Sequence, residues 1–158
     1  MSTNRELSIS NYLQTVIKLR KSVELLPEEL IRWKPARDKW SIHEIVIHLI
    51  DSNIVNSYRI RKIVSEPATS LATFAHEDWV RNQRLIDASI FELLDTYEAI
   101  TGYNALMLKS LEESDWLKYG YKGEVEISIA YIIDQFICNH VDIHLSQIER
   151  NRTSYFAS

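Results

Sequence analysis

Residues 39–63 read KWSIHEIVIHLIDSNIVNSYRIRKI, and they decide the fold. Ser41 and Glu44 have the spacing of a capping box. The serine side chain accepts from the backbone N–H of Glu44, and the glutamate carboxylate answers the N–H of Ser41. The spacing predicts a long helix from Ser41 to about Val64, where Ser65-Glu66-Pro67 stops it. A 24-residue helix with apolar residues nearly all round it belongs in the interior of a helical protein.

Working outward, Ile9, Leu13, Val16, Ile17, Leu19 and Val23 follow at helical steps, and Leu26-Pro27 ends that first helix. SEPATSLATFAHED, residues 65–78, reads as a connecting loop. Residues 78–111 look helical again, with Leu85, Ile86, Ile90, Leu93, Leu94, Tyr97, Ile100 and Leu108 in phase and Gly102 weakening the middle. ESDWLKYGYKGEVE, residues 113–126, is the next loop, with room for a short extended pairing around Tyr119 to Val125. A last helix is expected over about Ile127 to Arg150. Four long amphipathic segments without a convincing alternating run predict an all-α chain, a four-helix bundle with long connecting loops.

The bulk numbers agree. A chain of 158 residues is the size of one domain that buries its own core, so residues 1–158 are read as a single domain. Only three glycines and three prolines interrupt it, which favours long elements. A net charge of -4 without a basic run argues against nucleic acid as a partner. No apolar run reaches the length of a membrane span. The lone Cys138 forms no intrachain disulfide, and MSTNRELSIS lacks the pattern of a secretory leader, so the expected location is cytoplasmic.

Five histidines remain to be placed. On an ideal helix His140 lies about 20° from Ile133 and about 40° from Phe136 and His144, so both rings should face the bundle interior. A buried imidazole needs a hydrogen-bond partner or a metal. The H-x-x-x-H step sets two ring nitrogens on one face, close enough to share an ion, and a further ligand must come from another helix. His48, two turns into the second helix, is the better candidate, although periodicity leaves open a core-edge role bonded to Asp51. His43, in the capping turn, is expected at the surface, and His76 in the loop is expected to be solvated. Asp51 and Gln147 each lie three residues beyond a candidate ligand, where they could bond its second ring nitrogen. Cys138, some 160° from His140, reads as a small core residue.

These residues also form a pattern. Trp40-Ser41-Ile42-His43-Glu44-Ile45-Val46-Ile47-His48-Leu49-Ile50-Asp51 resembles the W-S-x-x-E-x-x-x-H-L-x-D signature of the DinB-like family of damage-inducible, metal-dependent proteins. His140-Val-Asp-Ile-His144-Leu145-Ser-Gln147-Ile148 resembles that family's closing H-x-x-x-H-L-x-Q-I, and Phe74 to Trp79 its F-x-x-x-x-W. The resemblance implies a four-helix bundle with a divalent metal, nickel or zinc, on His48, His140 and His144. It further implies a metalloenzyme acting on a small-molecule substrate. The leading expectation is transfer to or from a low-molecular-weight thiol cosubstrate in stress response or detoxification. Thiol-dependent isomerisation and metal-dependent hydrolysis are the neighbouring chemistries. A non-enzymatic stress-related binding module with a structural metal is the competing expectation. The catalytic base is left unassigned. Trp33, Trp40, Trp79, Trp116, Tyr119 and Tyr121 could rim a substrate mouth, and apolar positions around Ile54, Tyr58 and Ile60 leave room for a homodimer.

Overall fold

The computed structural model describes residues 4–158. Helix α1 (Asn4–Val23) leads through a five-residue α2 (Glu28–Arg32) into α3 (Ile42–Ser65). Then come α4 (His76–Gln83), α5 (Ile90–Ser110), a single-turn α6 (Glu113–Trp116) and the strands β1 (Tyr119–Lys122) and β2 (Val125–Ser128). A short α7 (Ile129–Tyr131) runs through a π-helical segment, Ile132–Asn139, into α8 (His140–Ala157). Helix α5 packs between α1 and α3, and the π segment with α8 fills the opposite corner between the same two helices, closing a four-helix bundle.

The predicted capping box starts α3: the Ser41 hydroxyl accepts from Glu44 N at 3.1 Å, and Ser41 N donates to Glu44 Oε1 at 3.2 Å. Along α3 the buried face changes character. Ile42, Ile45, Val46, Ile47, Leu49 and Ile50 join one apolar cluster, and Ile60 and Ile63 join another. Between them, Asp51, Ser52, Asn53 and Asn56 are buried. Polar groups inside a core need partners, and a belt of hydrogen bonds across the bundle supplies them. The Tyr12 hydroxyl donates to Asn53 Oδ1 and accepts from Asn104 Nδ2 at 2.9 Å. Asn53 Nδ2 donates to Thr101 Oγ1 at 3.0 Å, and the Thr15 and Tyr97 hydroxyls pair at 2.9 Å. This belt ties α1, α3 and α5 together in one axial register.

The region expected as one helix over 78–111 is two. Helix α4 begins two residues earlier, at His76, and ends at Gln83, capped by Arg84, whose backbone is left-handed (φ 56°). Leu85 and Ile86, counted toward the apolar stripe, lie in the break and are exposed. Helix α5 restarts with its own capping box, in which Ser89 accepts from Glu92 N and Glu92 answers Ser89 N. That box was present in the sequence and outweighs the continuing apolar period. Gly102 leaves α5 unbroken, with open space around its Cα. The last helix departs from expectation in pitch: eight residues run as a π-helix before α8, which continues past Arg150 to Ala157. Ile60, counted toward an apolar outer face, is fully buried, while Ile54 and Tyr58 are half exposed.

The hairpin β1–β2 holds the long loop after α3. Ala68 N and Leu71 N donate to the carbonyls of Tyr119 and Tyr121, and Tyr121 N donates to Thr69 O at 2.8 Å. A Cβ on Gly120 would sit 2.6 Å from Leu71 Cδ2 and 3.0 Å from Thr69 O, so glycine permits this close approach. The anchored loop delivers Phe74 and His76 to the side of α3 that carries His48.

Replacing Ser41 by alanine leaves Glu44 N without its cap. Chemical denaturation should show a loss of about 1 kcal/mol, within the ~0.5–2 kcal/mol range of N-cap serines.

Candidate metal centre

His48 arrives on α3, anchored by the capping box and by apolar neighbours on both sides. His140 is the first residue of α8, and His144 follows one α-turn later. The π segment before them takes more residues per turn than an α-helix, so the 3.6-residue grid loses phase across it. Ile133, expected almost above His140, lies fully in the core, whereas His140 is half-buried and borders a cavity. The carbonyl of Phe136 within this segment accepts from Asn56 Nδ2 of α3 at 3.3 Å.

The three imidazoles converge. His48 Nε2 lies 3.1 Å from His140 Nε2, and His144 Nε2 lies 3.0 Å from the same atom. One ring nitrogen from each histidine falls within 4.8 Å of the others, the sole such donor cluster among the described residues. His144 Nδ1 lies 2.8 Å from Gln147 Oε1, and because that oxygen can only accept, the proton belongs on Nδ1 and the Nε2 lone pair faces the cluster. A proton on His140 Nε2 could serve one neighbour well but not both. His48 Nδ1 is buried with no hydrogen-bond partner among the described residues.

Protonation does not relieve this crowding. Burial, then the neighbouring histidines, pushes His48 down to about 3, and the same causes push His140 down to about 4. Burial lowers His144 as well, against the hydrogen bond to Gln147. Three neutral nitrogen donors at such separations fit one divalent ion: metal–nitrogen bonds of ~2.0–2.1 Å at angles of about 90–109° put ligand atoms roughly 2.8–3.4 Å apart.

Gln147 stands where the sequence placed it, on the second nitrogen of His144. Asp51 does not. Its carboxylate accepts from Gln83 Nε2 at 2.8 and 2.9 Å, because the third residue after His48 faces α4 rather than the imidazole, and burial raises its pKa. His43 is buried rather than exposed, its Nε2 2.7 Å from the Ala88 carbonyl in the α4–α5 break. His76 heads α4 instead of lying in a loop; its exposed ring sits 5.5 Å from that of His48 and 6.1 Å from that of Trp40, centroid to centroid. Cys138 is half-buried, and burial pushes its thiol up to about 12, so it offers no nucleophile.

A cavity of about 530 Å³ opens over the imidazoles. Trp40, tilted 4.8 Å from the His48 ring, and Phe74 form its apolar cover. Of the expected aromatic rim, Trp40 alone lines this cavity. Trp33 packs on Tyr155, Trp79 on Phe74, and Tyr119 on Tyr121. Arg59, Lys122 and Gln135, which also line it, escaped the sequence reading. The legible signal was the stripe His48, Ser52, Asn56, Arg59 on one face of α3.

The lowered histidine values carry a sign. In the metal-free protein the native rings resist protonation while the unfolded rings accept a proton near 6.5, so the unfolded state binds more protons between those limits. Stability is full above about pH 6.5 and falls as pH drops toward 4. Urea titrations of metal-free protein at pH 7, 6 and 5 should show this loss, and His48→Gln should make it shallower.

Comparison with known proteins agrees with this architecture. Over residues 13–148 the sequence matches the model of the DinB superfamily. A Bacillus licheniformis protein named "Putative metal-dependent hydrolase" is 27% identical over 154 residues, covering 94% of this chain and 86% of its own length. The solved structure of YfiT from Bacillus subtilis is described as "a probable metal-dependent hydrolase with an unusual four-helix bundle topology". It superposes with a TM-score of 0.80 at 17% identity, covering 97% of this chain and 90% of that one. The capping-box helix, the paired histidines of α8 and the matched span together make this chain a member of the DinB superfamily.

Proposed function

We propose that this protein is a metalloenzyme that uses a divalent ion, nickel or zinc, on His48, His140 and His144 to activate a low-molecular-weight thiol for transfer to a small-molecule substrate. The observation that carries the reading is the convergence of three imidazole nitrogens, on rings held neutral by burial, beneath an open cavity. A structural ion is enclosed by protein ligands, whereas a catalytic one keeps a position open to solvent or substrate. The donor set suits late first-row ions, and nickel and zinc both accept neutral imidazole and thiolate.

When bound, the ion would supply Lewis acidity that holds a thiol or water in its deprotonated form near neutral pH. The chain's own residues do the rest. Gln147 fixes the tautomer and ring plane of His144, Trp40 and Phe74 limit the access of water, and the depressed histidine values keep protons from competing for the ligand nitrogens.

Transfer needs room for two reactants. A second cavity of about 840 Å³ borders the first at Asp38, Trp40 and Glu77 and offers space beside the site for a second reactant. Hydrolysis is the second reading, favoured by the descriptions of the two similar Bacillus proteins.

Protein purified without a histidine tag should contain about one nickel or zinc ion per chain by elemental analysis. His144→Ala should lower metal affinity at least tenfold with the helical circular dichroism retained; unchanged occupancy would refute the assigned centre. With metal bound, turnover that requires an added thiol supports transfer, and turnover in its absence supports hydrolysis.

A further inference from the structure

The cavity over the histidines is a trough with a polarity along its length. Its floor is one stripe of α3, where His48, Ser52, Asn56 and Arg59 follow at steps of four, four and three and all border the cavity. From His48 to Arg59 the helix rises roughly 16 Å. The facing wall runs from Gln147 through His144 and His140 to Phe136. Three imidazoles therefore occupy one part of the trough and Phe136 the far end.

Two cations gather at that end. The Arg59 guanidinium carbon lies 5.6 Å from the centroid of the Phe136 ring, and Lys122 Nζ lies 5.1 Å from the same centroid. Arg59 is half-buried, and its hydrogen bonds go to the Ala72 carbonyl, from Nε and Nη2, and to Asn56 Oδ1, from Nη1 at 2.9 Å. These use three of its five N–H groups and leave one on each terminal nitrogen. Neither Arg59 nor Lys122 forms an ion pair among the described residues. Removal from water disfavours the Arg59 charge, and no carboxylate among the described residues offsets that loss. The opposite lip carries Asp38 and Glu77 against Lys39, so an anion is drawn toward Phe136 and away from the Trp40 end. A guanidinium with two free N–H groups, pinned by its other bonds and seated on an aromatic face, is preorganised to receive oxygen atoms.

We propose that Arg59 and Lys122 seat a carboxylate of an elongated substrate or thiol cosubstrate whose reacting end lies at the three histidines. This rests on the metalloenzyme reading for the reacting end, while the seat itself is built from residues that do not touch the ion. It makes Arg59 and Lys122 determinants of specificity: they select molecules that carry a negative group several bonds from the reacting atom.

A matched pair of probes tests it. 6-Mercaptohexanoate and 6-mercaptohexanol both present a thiol, and they differ in the charge of the far end. Calorimetric titration into zinc-loaded protein at low salt should show the carboxylate binding about tenfold more tightly, with the gap narrowing severalfold by 0.5 M salt. Arg59→Gln should abolish the preference, Arg59→Lys should keep part of it, and Lys122→Gln should reduce it about threefold. Equal binding of the two probes to the wild type, or a preference unchanged in the Arg59→Gln and Lys122→Gln proteins, would overturn the proposal. Arg59 also tethers the loop at Ala72. If Arg59→Gln does not fold, Lys122→Gln and the salt dependence decide. If the protein takes up no metal, the proposed function fails and the seat remains measurable. Hexanoate titrated calorimetrically into metal-free protein should then bind saturably, and more weakly after Lys122→Gln; no saturable binding would overturn the seat as well.

Discussion

Three imidazole nitrogens crowd one half-buried point where the rings' own protons cannot satisfy every contact, and the rest of the structure is arranged around that conflict. In water such rings would separate or take up protons. Here the backbone of two helices prevents separation, and burial prevents protonation. The contact of His144 Nδ1 with Gln147 Oε1 fixes that ring's plane and points its Nε2 inward. A positive ion resolves the arrangement with every donor already in place, so the binding of metal does not have to pay for ordering its ligands.

The bundle sustains this conflict by being polar in its middle as well as at one wall. Asn53, Thr101, Asn104, Tyr12, Thr15 and Tyr97 form a satisfied belt between two apolar clusters. Such a belt allows one axial alignment of α1, α3 and α5, because a slip of one residue would leave buried amides unpaired. The alignment matters to the site, since His48 is carried on α3 and its partners on α8. The π segment matters similarly: it places His140 at the cavity while Ile132, Ile133 and Ile137 stay in the core. A wide turn adjacent to a functional residue is a recurrent use of π-helix geometry.

Above the histidines the wall is uneven, and the unevenness has chemical meaning. Trp40, Phe74 and His76 converge from two loops and a helix start to cover one end, held by the hairpin that clasps residues 68–71. The other end holds Phe136 and two cations, Arg59 and Lys122, that have no ion-pair partner among the described residues. An apolar cover at the histidine end and positive charge at the far end make a trough with a direction, which a symmetric bundle interior lacks.

Much of this was legible in the sequence. The Ser41–Glu44 capping box fixed the start of the central helix to the residue, and the paired histidines of 140–144 with His48 stood out because apolar helix faces rarely carry so many imidazoles. Those are local signals, set by hydrogen bonds and periodicity within a few residues. Where two local signals competed the reading failed: the apolar period over 78–111 hid the Ser89–Glu92 box and the left-handed Arg84. Other features had no local signal. His43 is buried because the carbonyl of Ala88, 45 residues away, reaches its ring, and Asp51 turns to Gln83 because α4 packs on that side of α3. Arg59 meets Lys122 only across the ring of Phe136. The sequence by itself determined the helices, their caps and the identity of the imidazoles. Only the tertiary structure decided which nitrogens meet, which charges go unpaired and which end of the trough is positive, because each depends on side chains brought together by packing between elements far apart in the chain.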